Sequence, residues 1–149
     1  MIDEVCDFDH PLVRETASRL TRDESSDRGR IEKLFYYVRD DIKFGFPKRG
    51  DLMKASETIK LRMGQCNTKT TLFFALCKSL GIPARVHFSF IEKQLQRGLF
   101  PAIAYRLMPP LLSRNWIEGE VDGDRKRLDS YINDMRFYLN VRRELKKGG

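Results

Sequence analysis

The sequence predicts an α+β fold, with N-terminal helices, a cysteine-bearing central helix and antiparallel strands after it. Three observations carry that prediction. Apolar residues recur at helical spacing from Leu12 to Leu80; Val86, Phe88 and Phe90 then alternate with Arg85, His87 and Ser89; and Asp122-Gly123 is a hairpin turn signal. Helices followed by strands, rather than alternating with them, are the pattern of an α+β domain. At 149 residues and 41% hydrophobic content, the chain suits a single domain over 1–149, with a core from about 31 to 132.

Asp9 is a candidate N-cap for a first helix over Pro11 to Leu20, which places Leu12, Val13, Thr16, Ala17 and Leu20 on one face. After a polar break from Thr21 to Gly29, Ile31, Leu34, Phe35, Val38 and Ile42 define a second helix ending near Phe44-Gly45-Phe46-Pro47. A loop from Pro47 to Lys54 leads into a short helix, Ala55 to Lys60, with Ser56 as candidate cap and Met63-Gly64 as its stop. Asn67 to Leu80 carries Leu72, Phe73, Ala75, Leu76 and Leu80 at helical spacing and ends at Gly81 and Pro83, so Cys66 sits at or just before its first turn. Ala84 to Ile91 is a half-buried strand with Val86, Phe88 and Phe90 facing the core. A long Pro-containing connection, Glu92 to Pro110, precedes a second strand starting near Arg114-Asn115-Trp116. Lys126 to Tyr131 is the returning strand, and a charged helix over about 132–147 closes the chain.

Composition excludes several classes. Cys6, Cys66 and Cys77 include no CxxC pair, and two histidines are too few for a zinc site, so neither a disulfide framework, a metal nor a cofactor is indicated. The net charge of +7 gathers at Arg142, Arg143, Lys146 and Lys147, but without the interleaved aromatics that stack bases, so nucleic-acid binding is the weaker reading and a solvated helix face the stronger. Neither a secretory signal nor an apolar run long enough to cross a bilayer is present; a cytoplasmic protein with no membrane partner is the expectation.

Cys66 stands out on physical grounds. The unpaired N–H groups and positive dipole end of a helix N-terminus favour thiolate over thiol. Cys77 lies inside the helix beside Leu76 and Leu80, and Cys6 lies in an acidic stretch, so neither shares that environment.

The run Ala55-Ser56-Glu57-Thr58-Ile59-Lys60, then Gly64-Gln65-Cys66-Asn67-Thr68-Lys69, Leu72-Phe73-Phe74-Ala75-Leu76 and Gly81-Ile82-Pro83-Ala84-Arg85 closely resembles the transglutaminase-like family of papain-type cysteine hydrolases. The resemblance implies an α+β fold with the cysteine helix packed on an antiparallel β-sheet, and a Cys-His-Asp triad with Cys66 as nucleophile, the histidine on the second strand two residues before a tryptophan, and the aspartate on the third. Trp116, with Glu118, Val121, Asp122 and Gly123, matches that second strand and hairpin, with Trp116 as a cleft wall, and Leu128-Asp129 matches the third-strand aspartate. Two residues before Trp116, however, stands Arg114, which cannot release a proton near neutral pH and so cannot act as general base and then acid. Arg125 stands where the family usually carries an aromatic. His87 is the candidate substitute base, although alternation places it on the face opposite Val86, Phe88 and Phe90. His10, before Pro11, reads as a surface residue.

The resemblance implies attack by Cys66 on a glutamine carboxamide or peptide carbonyl, a thioester, and transfer of the acyl group to water or an amine. The Cys66 backbone N–H would be one oxyanion donor. With Arg114 at the histidine position two readings stand open: an active thiol acyl-transferase or amide hydrolase, and a catalytically silent domain whose cleft holds a peptide or partner protein. A basic nucleic-acid-binding domain is the third.

Overall fold

The computed structural model describes residues 2–98, 101–132 and 143. Helices α1 (Ile2–Val5), α2 (Pro11–Thr21) and α3 (Asp27–Tyr36), the last running into a π-helical turn at Tyr37–Asp41, precede a two-residue strand β1 (Lys43–Phe44). Helix α4 (Ala55–Leu61), strand β2 (Met63–Gly64) and the central helix α5 (Cys66–Ser79) follow. Strand β3 (Ala84–Glu92), a short helix α6 (Ala102–Leu107), and strands β4 (Leu111–Val121) and β5 (Asp124–Leu128) complete the order. The last three strands form an antiparallel sheet in the order β3-β4-β5, on which α5 packs; β1 and β2 pair in parallel, Lys43 with Met63 and Phe44 with Gly64.

Local chemistry shifts several boundaries. The cap of α2 is His10, whose Nδ1 accepts from Leu12 N–H at 3.1 Å, rather than Asp9. Ser26 accepts from Gly29 N–H, which starts α3 before Ile31. Ser56 does not cap α4: Glu57 reaches back to the Lys54 N–H at 2.8 Å, while the Ser56 N–H and hydroxyl both donate to Asp7. That Asp7 carboxylate, favourable at a helix N-terminus, ties the first residues of the chain to the start of α4. The returning strand ends at Leu128, so Asp129 and Tyr131 lie beyond it. The terminal helix expected over about 132–147 falls outside the described residues except for Ile132 and Arg143.

The core gathers Val13, Ala17, Ile31, Leu34 and Val38 from the helical half against Leu72, Phe73, Ala75 and Leu76 of α5, with Ile117 and Val121 from the sheet. Lys69 lies fully inside it. Its Nζ donates to the carbonyls of Ile42 at 2.6 Å and Arg39 at 3.3 Å, at the end of the π-helical turn that follows α3.

Phe88 and Phe90 do not point into the core: they are 60% and 74% exposed, and only Val86 of that set packs against it. The reason is the path of α5, which starts at Ser113 on the side of β4 away from β3 and leads into the first residue of β3. It covers Ala84 and Val86 and leaves the far half of β3 bare.

Gly64 holds α5 close to α4. A Cβ there would stand 2.5 Å from Thr68 Oγ1 and 3.2 Å from Lys69 Cγ. Thr68 Oγ1 is also the acceptor for the Gln65 N–H at 2.8 Å, so displacing it uncaps the helix that carries Cys66. Gly64→Ala is expected to cost about 1–3 kcal/mol, read as a lower thermal midpoint.

Candidate active site around Cys66

Backbone polarity places the cysteine. Lys93 N–H donates to the Pro110 carbonyl and Glu120 N–H to the Pro83 carbonyl, so even-numbered residues of β4 direct their backbone groups to β3 and odd-numbered residues direct theirs to the β5 side. Strand β5 pairs with β4 only as far as Ile117 with Leu128. At Ser113 that side is taken by the start of α5, and the Cys66 thiol donates to the Ser113 carbonyl at 3.9 Å.

The side chains around it are amides and hydroxyls. Asn67 Oδ1 accepts from Asn115 Nδ2 and from Ser113 Oγ, and Thr70 Oγ1 donates to the Cys66 carbonyl at 2.8 Å while meeting the Tyr131 hydroxyl at 3.0 Å. Asn115 is buried, and its Oδ1 has no hydrogen-bond partner among the described residues. Burial pushes the Cys66 thiol above the ordinary thiol range; the Asn67 N–H pulls it back, and the Asp51 carboxylate adds to the upward push. Desolvation of the thiol thus opposes, and outweighs, the pull of the helix end toward thiolate. Cys6 and Cys77 are pushed up further by burial, to about 11 and about 12.

Arg114 and Asp129 meet each other: Arg114 Nη2 is 2.7 Å from Asp129 Oδ2, which Arg127 also reaches at 2.9 Å. Partial burial raises the Asp129 carboxyl, but the Ser130 N–H and the two guanidiniums together hold it below its usual range. Arg114 alternates with the buried Asn115, so its side chain projects from the opposite face of the sheet. The same holds for Trp116. The structure puts this expected cleft wall on the outer face, between His87, stacked at 5.3 Å and 7°, and the Arg127 guanidinium at 4.5 Å. His87 Nε2 bonds Glu118 Oε2 at 2.8 Å on that face, and Arg125 lies 3.8 Å from Glu118. The structure thus brings Arg114, Asp129 and Arg127 together, and His87, Trp116 and Glu118 together, while the Cys66 sulfur makes its hydrogen bond to the Ser113 carbonyl.

Sequence reasoning missed Ser113, Asn115, Asn67 and Asp51. A signal for the first two existed: Ile117, Gly119 and Val121 alternate as a core-facing set, and extending it backward lands on Asn115 and Ser113.

The model of the Transglutaminase-like superfamily matches residues 14–128. The chain belongs to this superfamily. Two solved structures share the fold: a "putative cysteine protease" from Cytophaga hutchinsonii, 20% identical with a TM-score of 0.63, and a "putative protease" from Parabacteroides distasonis, 12% identical with a TM-score of 0.56. The matches cover 85% and 87% of this transglutaminase-like chain, but only 38% and 26% of those proteins. No curated protein matches.

Proposed function

We propose that this transglutaminase-like domain keeps the scaffold of a thiol acyl-transferase or amide hydrolase without its proton shuttle, and that its cleft holds a peptide or partner protein. The observation that carries this reading is the Arg114–Asp129 pair: the aspartate that would orient a base is held by a guanidinium that stays protonated. The raised Cys66 thiol supports it, since the thiol form is a poor nucleophile. His87 is engaged by Glu118 and stacked on Trp116, which supports leaving it out of the chemistry.

Thiol alkylation tests the reading. Cys66 in the folded chain is expected to react slowly with iodoacetamide near neutral pH. Its rate should climb through a midpoint above the ordinary thiol range, with Cys6 and Cys77 protected until unfolding. Fast neutral-pH labelling that disappears in Cys66→Ala would mean an activated thiolate and sink the silent-domain reading.

A further inference from the structure

We infer that the described residues linking β3 to β4, 93–98 and 101–110, form a docking surface for anionic lipid, with the protein lying on a membrane rather than crossing it. Among the described residues no helix is long and apolar enough to cross. The segment is nonetheless unusually apolar on its outside. Leu95, Ile103 and Leu107 are 72%, 77% and 81% exposed, and Ile103 and Leu107, four residues apart on α6, share one face of it. Phe88, Phe90 and Leu111 at the adjoining ends of β3 and β4 are exposed as well. Register puts Phe90 opposite Ser113, so its side chain and those of Phe88 and Leu111 stand on the same sheet face in one strip. An apolar group of this size on a protein surface marks an interaction site.

Charge identifies the occupant. Between the strands, from Lys93 to Pro110, the chain carries Lys93, Arg97 and Arg106 and no aspartate or glutamate, the nearest carboxylate being Glu92 at the end of β3, opposite Leu111. Lys93 holds the segment together, its N–H donating to the Pro110 carbonyl and its Nζ to the Tyr105 and Met108 carbonyls. Arg97 and Arg106 remain exposed beside the apolar side chains. Protruding aliphatic tips among cations suit a bilayer interface, where apolar groups enter the headgroup boundary and guanidiniums meet lipid phosphates. A peptide-binding site would instead use a concave, lined surface.

Vesicle co-sedimentation of the full chain tests this. Binding is expected to phosphatidylcholine vesicles containing phosphatidylserine, at least tenfold weaker to phosphatidylcholine alone. The double variants Ile103→Ser/Leu107→Ser and Arg97→Glu/Arg106→Glu should each lose tenfold or more, with melting temperatures unchanged because all four side chains are exposed. Phe46→Ser, at another exposed apolar position, should bind as wild type. Wild-type chain that ignores both vesicles overturns the proposal. So does binding that the serine variant leaves intact, which would be plain charge attraction, and so does selective capture of acidic peptides with vesicles ignored.

Discussion

Tyr131→Ala is expected to destabilise the fold by about 3–5 kcal/mol, a large share of the roughly 5–15 kcal/mol that holds a domain together. Tyr131 is fully buried just past β5, edge-on to Phe73 at 5.0 Å and Phe35 at 6.3 Å, and its hydroxyl meets Thr70 Oγ1 at 3.0 Å. It therefore joins the end of the sheet to both α3 and α5. Removing the ring leaves a cavity that those helices cannot close without moving apart. Tyr131→Phe keeps the ring and loses only the Thr70 contact, so its cost should be near 1 kcal/mol. Urea denaturation followed by far-UV circular dichroism measures both. A Tyr131→Ala variant as stable as Tyr131→Phe would mean that the ring contributes little packing.

The second large effect concerns chemistry. Wild-type chain is expected to release no ammonia from glutamine peptides and to cleave no peptide above the Cys66→Ala background, because a missing general base costs ~10²–10⁴ in rate. Arg114→His places an imidazole beside Asp129, whose carboxylate keeps the Ser130 N–H and the Arg127 guanidinium as partners and can fix the ring tautomer. That imidazole starts on the sheet face opposite Asn115, so productive contact with Cys66 also requires it to turn toward the edge of β4 at Ser113, where the start of α5 lies. Any activity gained should depend on Cys66 and fall in Arg114→His/Asp129→Asn. Robust wild-type turnover lost in Cys66→Ala would overturn the reading and require a base that Arg114 and His87 do not supply.

Much of the architecture was legible because it follows from local rules. The Gly64 break, the apolar period through Phe73 and Leu76, and the Gly81-Ile82-Pro83 exit mark the central helix and put Cys66 at its start, where the structure has it. Asp122-Gly123 turns the chain between β4 and β5, with both residues at positive φ as such a hairpin requires. The β1–β2 pairing was not legible, since two residues on each strand leave no period to read.

By itself, then, the sequence determined the order of the longer helices and of the three strands of the antiparallel sheet, the position of Cys66 and the presence of arginine two residues before Trp116, because each depends on spacing and turn chemistry within a short stretch. Only tertiary structure decided what those residues meet. Whether Phe88 and Phe90 are buried depends on the diagonal path of α5. Whether Cys66 favours thiolate depends on how far packing removes it from water. Whether Arg114 turns to Cys66 or to Asp129 depends on which face of β4 the helix covers. Burial and facing are properties of contacts between distant segments, and no local pattern in either segment contains them.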